Sequence, residues 1–236
     1  MGREQRSRRR LSEGVVCYLC EKPISPDQSW NRDHFPPQRF YGQSVRKQFN
    51  PNLDLLYTHV VCNSAYKRDE EYFVMCFAGH AETLAGRSVF EDIRRAAAKG
   101  HDARLLAQIV GQFGKVTLSD GARLFSYDGE RVDRIVWKLV RAIYFTETGR
   151  VLPESKRRAV INLSTKRGVD PATDYPLLTH VRGGDGMGRY PGVFDYKWLA
   201  VTGASRAHAI AMLLWDRLMF MAVFHDPTCA CGECRD

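Results

Sequence analysis

Cys17 and Cys20 make a CxxC pair, and His59 and Cys62 make an HxxC pair further along the chain. Two such pairs supply the four sulfur and nitrogen donors of a tetrahedral zinc site, a pattern far more specific than either pair alone. Residues of a different chemistry lie between and beside them: Asp33 and His34, then Asn52, and Asn63 directly after Cys62. Those types match what cutting a phosphodiester requires. A base must take a proton from water, and an imidazole titrating near neutrality suits that role, which points to His34. A hard cation held by oxygen ligands must neutralise charge on the phosphate and leaving oxygen, and Asp33 and Asn63 offer a carboxylate and an amide. An amide in the intervening loop, Asn52, can hold the backbone near the base.

Each of these residues has a plainer reading. Asn is favoured in turns and caps, so Asn52 and Asn63 could serve only the backbone. His59 could simply open a helix, and Cys76 and His80, four apart on one helical stretch, read as a core pair rather than as ligands. Near the far end, His225, Cys229, Cys231 and Cys234 have the types and number for a second zinc. They would equally suit capping a sheet, completing the first site, or a poorly ordered terminus.

The elements that must position these groups follow from periodicity and punctuation. Val15 to Ser25 reads as a short hairpin whose turn carries the first cysteine pair, closed by Pro23 and Pro26. From Trp30 to Phe40 the aromatic and proline content predicts an extended segment entering a loop to Asn50 and Pro51, with Asp33 and His34 at a strand end. Beyond Thr58 a helical stretch runs to about Gly86, with Tyr66, Phe73, Phe77 and Leu84 as core candidates and Asn63 and Lys67 on one face. Val89 to Lys99 and Asp102 to Phe113 read as connecting helices. From Asp128 to Glu147 the set Ile135, Val136, Leu139, Val140 and Ile143 predicts a helix with Arg134, Lys138 and Arg141 on its other side. Five β-rich runs follow, 159–163, 176–181, 193–201, 207–214 and 218–224, and predict an antiparallel sheet packed on that helix. The expected class is α+β, organised as a basic tail (1–14), a zinc-stabilised module (15–85), a helical connector (86–118) and a C-terminal α+β domain (119–236).

Composition bounds the function classes. A chain of 236 residues, 44% hydrophobic, can bury a sizeable core. The cysteine count is seven, and no N-terminal apolar signal core or bilayer-length apolar run is evident, which points to a reducing, cytoplasmic setting without a membrane. The net charge is +8, with arginines crowded into the first ten residues and a second basic run from Arg150 to Arg167. Either could follow phosphates, or be an ordinary solvated surface.

Taken together, Cys17-Cys20, Asp33-His34, Asn52-Leu53 and Cys62-Asn63 resemble the HNH endonuclease motif of the ββα-metal superfamily, over roughly residues 15 to 70. The resemblance implies that His34 activates water, Asn52 supports the loop, and Asp33 with Asn63 binds a catalytic divalent ion such as Mg²⁺. It also implies that Cys17, Cys20, His59 and Cys62 clamp a separate structural zinc, with His59 standing where such members carry a cysteine. Many members carry a lysine three residues after the Cys-Asn asparagine; Tyr66 holds that place here, and Lys67 and Arg68 follow as candidate phosphate contacts. The loop between His34 and Asn52 lacks the common Gly-Gly, and Asn50 could take the role of Asn52. The implied function is a metal-dependent endonuclease acting on DNA rather than RNA. The alternative is a non-catalytic, zinc-stabilised nucleic-acid-binding module.

Overall fold

Alternation along Asp54–His59 explains the first sheet: Leu56 and Thr58 point inward while Leu55 and Tyr57 face out, the period of a strand with one buried face. The computed structural model describes residues 14–49, 51–101, 103–117, 123–163, 190, 192–200 and 207–232. In it Trp30–Phe35 (β1) and Asp54–His59 (β2) pair antiparallel, from Trp30 opposite His59 to Phe35 opposite Asp54. The connection between them is more ordered than a loop. A 3-10 turn at Gln38–Phe40 leads to a short helix, α1 (Gln43–Phe49). After β2 the chain turns at once into α2 (Val60–Ser64) and α3 (Lys67–Phe77). Two non-helical residues, Ala65 and Tyr66, part the helices, so Asn63 and Lys67 belong to different elements.

Ahead of β1, an isolated bridge between Val16 and Pro23 closes the expected hairpin, and its turn presents Cys17 and Cys20. Beyond α3 come α4 (Leu84–Ala98) and α5 (Ala103–Gln112), then a two-stranded ladder of β3 (Phe113–Thr117) and β4 (Arg123–Phe125). The Thr83 hydroxyl caps α4 by accepting from the Gly86 N–H at 3.2 Å. Leu84 is not core; it is 69% exposed on the first turn of α4.

The longest helix, α6 (Gly129–Thr148), is capped by the Asp128 carboxylate, which accepts from the Arg131 N–H, and ends at Gly149 with φ 69°. Four antiparallel strands cover it: β5 (Arg157–Asn162), β6 (Phe194–Ala200), β7 (Ala207–Leu214) and β8 (Leu218–His225), in the order β5-β8-β7-β6. The expected strand at 176–181 lies outside the described residues.

A correction concerns the polar side of α6. Lys138 and Arg141 are buried, at 2% and 4% exposure. Arg131, Arg134, Lys138 and Arg141 recur at helical spacing along one stripe, and that stripe docks on the N-terminal module's acids. Arg131 and Arg134 hold Asp69 at 2.7 and 2.6 Å, Lys138 reaches Asp33 and Glu70, and Arg141 lies 3.7 Å from Glu21. One hydrophobic core joins the two halves. Phe40 and Phe73 stack at 5.7 Å, Phe73 meets Phe220, and the Trp215 indole N–H donates to the Phe40 carbonyl at 2.9 Å.

Candidate functional site

The metal-type cluster is assembled by three pieces of chain. The knuckle places Cys17 and Cys20, the end of β2 places His59, and the first turn of α2 returns Cys62. Their four donor atoms lie within 4.8 Å of one another. Cys20 Sγ and Cys62 Sγ stand 3.3 and 3.9 Å from His59 Nδ1. On the far side of the ring the Gln28 Oε1 lies 3.1 Å from Nε2. An amide oxygen can only accept, so Nε2 carries the proton and the Nδ1 lone pair faces the thiols, the tautomer that a metal needs. Gln28 is itself held by the Ser25 N–H at 3.0 Å.

The thiol electrostatics agree. Burial works to raise the Cys17 thiol, but hydrogen bonds with the Thr58 hydroxyl and the backbone of His59, Leu19 and Cys20 outweigh it and draw it down to about 7. Cys62 is pushed up to about 12, by burial and then by the neighbouring thiols Cys20 and Cys17. A dication would remove that mutual opposition to ionising. Three soft sulfurs and one imidazole nitrogen fit zinc.

Beside this cluster, Asp33 and Asn63 do come together, but around a cation of the protein's own. The Lys138 ammonium is 2.7 Å from Asp33 Oδ2, 2.5 Å from Glu70 Oε1 and 3.4 Å from Asn63 Oδ1. The Tyr18 hydroxyl donates to the same Asp33 oxygen at 2.6 Å, and Asn63 donates to Asn31 Oδ1 at 3.5 Å. Burial works to lower the Lys138 pKa, but the Asp33 and Glu70 carboxylates prevail and hold it raised, so the ammonium stays charged. Glu70 is raised by burial and by Asp33, with Lys138 opposing. A divalent ion does not fit these oxygens while the ammonium sits among them. Glu70, Tyr18 and Asn31 were not singled out from the sequence; the acid three residues after Lys67 was the available signal for Glu70.

His34 follows Asp33 in β1, and the alternation of the strand sends it to the other face, alongside Arg32 and Trp30. Its Nε2 lies 2.8 Å from Gln38 Nε2, while Gln38 Oε1 accepts from Arg46 at 3.3 Å. With the amide oriented by Arg46, its N–H donates to His34, whose Nε2 therefore bears the lone pair. Burial lowers the His34 pKa, Arg46 lowers it further, and Asp33 opposes both. The ring is thus neutral near pH 7.

Asn52 is exposed in the segment entering β2 and lines a pocket of about 590 Å³ with Tyr41, Asp54, Thr83 and Tyr190. Among the described residues it is not a hydrogen-bonding partner of His34. Lys67 and Arg68 are both exposed at the start of α3. Among the described residues no helix is long and apolar enough to cross a membrane.

No protein-family model, no curated protein and no solved structure matches this chain.

Proposed function

We propose that this protein hydrolyses phosphodiester bonds of DNA as an HNH-type endonuclease, with His34 as the base and a structural zinc at Cys17, Cys20, His59 and Cys62. The observation that carries this reading is the neutral imidazole of His34, its Nε2 facing the Gln38 amide, on the strand paired with the one that ends in the four-ligand cluster. A water replacing the Gln38 amide at His34 Nε2 would meet a free lone pair, and the depressed pKa keeps that lone pair available at neutral pH. Lys67 and Arg68, both exposed, are the candidate contacts to backbone phosphates.

A second reading is favoured by one specific observation. Lys138 fills the position among the oxygen ligands, and it suits a scaffold that binds nucleic acid without turning it over. Cleavage of supercoiled plasmid separates the two. Zinc-loaded wild type and His34→Ala, both shown to be folded, are assayed with Mg²⁺, with Mn²⁺ and with EDTA. Nicked or linear product from the wild type alone is the expected result. Equal cleavage by the variant removes His34 from the chemistry. No cleavage by either, with salt-sensitive DNA binding retained, selects the binding module.

A further inference from the structure

A second group of metal-type ligands lies at the far end of the C-terminal sheet, remote in sequence from the first. His225 closes β8, paired with Ala207 of β7, and the chain then folds back on itself. The turn is built. Cys229 N–H donates to the Asp226 carbonyl at 2.8 Å, and the Asp226 carboxylate accepts from the Thr228 N–H at 2.8 Å and from its hydroxyl at 2.5 Å. From the turn just before the neighbouring strand β5, the buried Lys156 ammonium donates to the Cys229 carbonyl at 3.0 Å. The result is that Cys229 Sγ and Cys231 Sγ stand 3.7 and 3.3 Å from the same ring nitrogen, His225 Nδ1, with all three donors within 4.8 Å of one another.

Two sulfurs converging on one imidazole nitrogen is the arrangement found at His59, where Cys20 and Cys62 do the same. A single ring nitrogen can satisfy only one linear hydrogen bond, whereas a metal in the space between accepts all three donors at once. In the sequence Cys231 is followed by Cys234 at the CxxC spacing of Cys17 and Cys20; Cys234 itself lies outside the described residues.

We propose that His225, Cys229 and Cys231 bind a second zinc whose role is structural. His225 and Cys229 are buried, at 7% and 5% exposure, which suits a closed site rather than one open to substrate. The ion fastens the end of β8, an inner strand of the sheet, to the turn held by Lys156. This assignment does not depend on the cleavage reading.

The test counts metal. The full chain, stripped under reducing conditions, is titrated with Co²⁺ while thiolate charge-transfer absorbance is followed, and zinc content is measured on protein as purified. The expected result is two equivalents for wild type, one for Cys231→Ser with loss of the tail site, and one for Cys20→Ser with loss of the first. Wild type saturating at one equivalent, with Cys231→Ser unchanged from it, overturns the proposal. Should Cys231→Ser fail to fold, the wild-type end point and the mass of the zinc-loaded chain under native ionisation still decide between one ion and two.

Discussion

His34 carries the sharpest residue-scale expectation, because burial and Arg46 both depress its pKa against the pull of Asp33. A base works in its neutral form, so cleavage rises with pH through a midpoint below the ordinary imidazole value of 6.5 and is flat by neutrality. Arg46→Gln removes one depressing charge, so the midpoint moves upward; the pH–rate profile of the two proteins checks it. The other residue-scale prediction concerns Gln28, whose amide oxygen fixes the His59 tautomer. Removing such an outer partner costs roughly 10–100-fold in metal affinity. Gln28→Ala therefore loses zinc to a competing chelator at that lower affinity, with the fold of the loaded protein unchanged. Neither Gln28 nor Gln38 was legible in the sequence, since a glutamine's role depends on which ring it meets and spacing along the chain does not reveal that.

At the scale of elements, helix packing hangs on glycines where the backbone has no room for a side chain. A Cβ at Gly86, in the first turn of α4, would meet the Ala81 methyl and lie 2.7 Å from Trp215 Cγ. Gly86→Ala must therefore push α4 off the β7–β8 turn, a loss of about 1–3 kcal/mol by analogy with overpacked cores. Urea unfolding followed by circular dichroism measures it, and an unchanged midpoint would refute the packing argument. The elements themselves were largely readable. β-rich runs marked β5, β6, β7 and β8, and the 3.6-residue period marked α6, whereas β2 went unmarked. What also escaped was α1, whose seven residues carry no apolar period of their own and rest against α4, with the Gln43 N–H donating to Asp92. A helix that short gains its stability from its neighbour, so its own sequence does not announce it.

For the whole molecule the decisive feature is the basic stripe of α6 laid across the acids of the N-terminal module. Lys138 is its centre, and its ammonium is paired with two carboxylates at 2.7 and 2.5 Å. Lys138→Met leaves Asp33 and Glu70 buried without a counter-charge, and breaking such a group costs about 3–5 kcal/mol. The variant unfolds at markedly lower urea in EDTA, while adding Asp33→Asn and Glu70→Gln to it restores much of the loss; a triple variant as unstable as the single one would show that packing, not charge, is responsible. By itself the sequence determined the ligand types and their pairing into CxxC and HxxC, the α+β class, and the helix and strands of the C-terminal half, because these depend on local spacing and period. It also brought Asp33, Asn63 and the zinc-type cluster into one neighbourhood. Only the tertiary structure decided that α6 inserts a lysine among those oxygens, that His34 turns to the other face of β1, and that Asn52 lines a separate pocket. The physical reason is that a helical stripe of arginine and lysine reads as solvent-facing until a partner surface of acids is folded against it, and those acids lie 62 or more residues away in the chain.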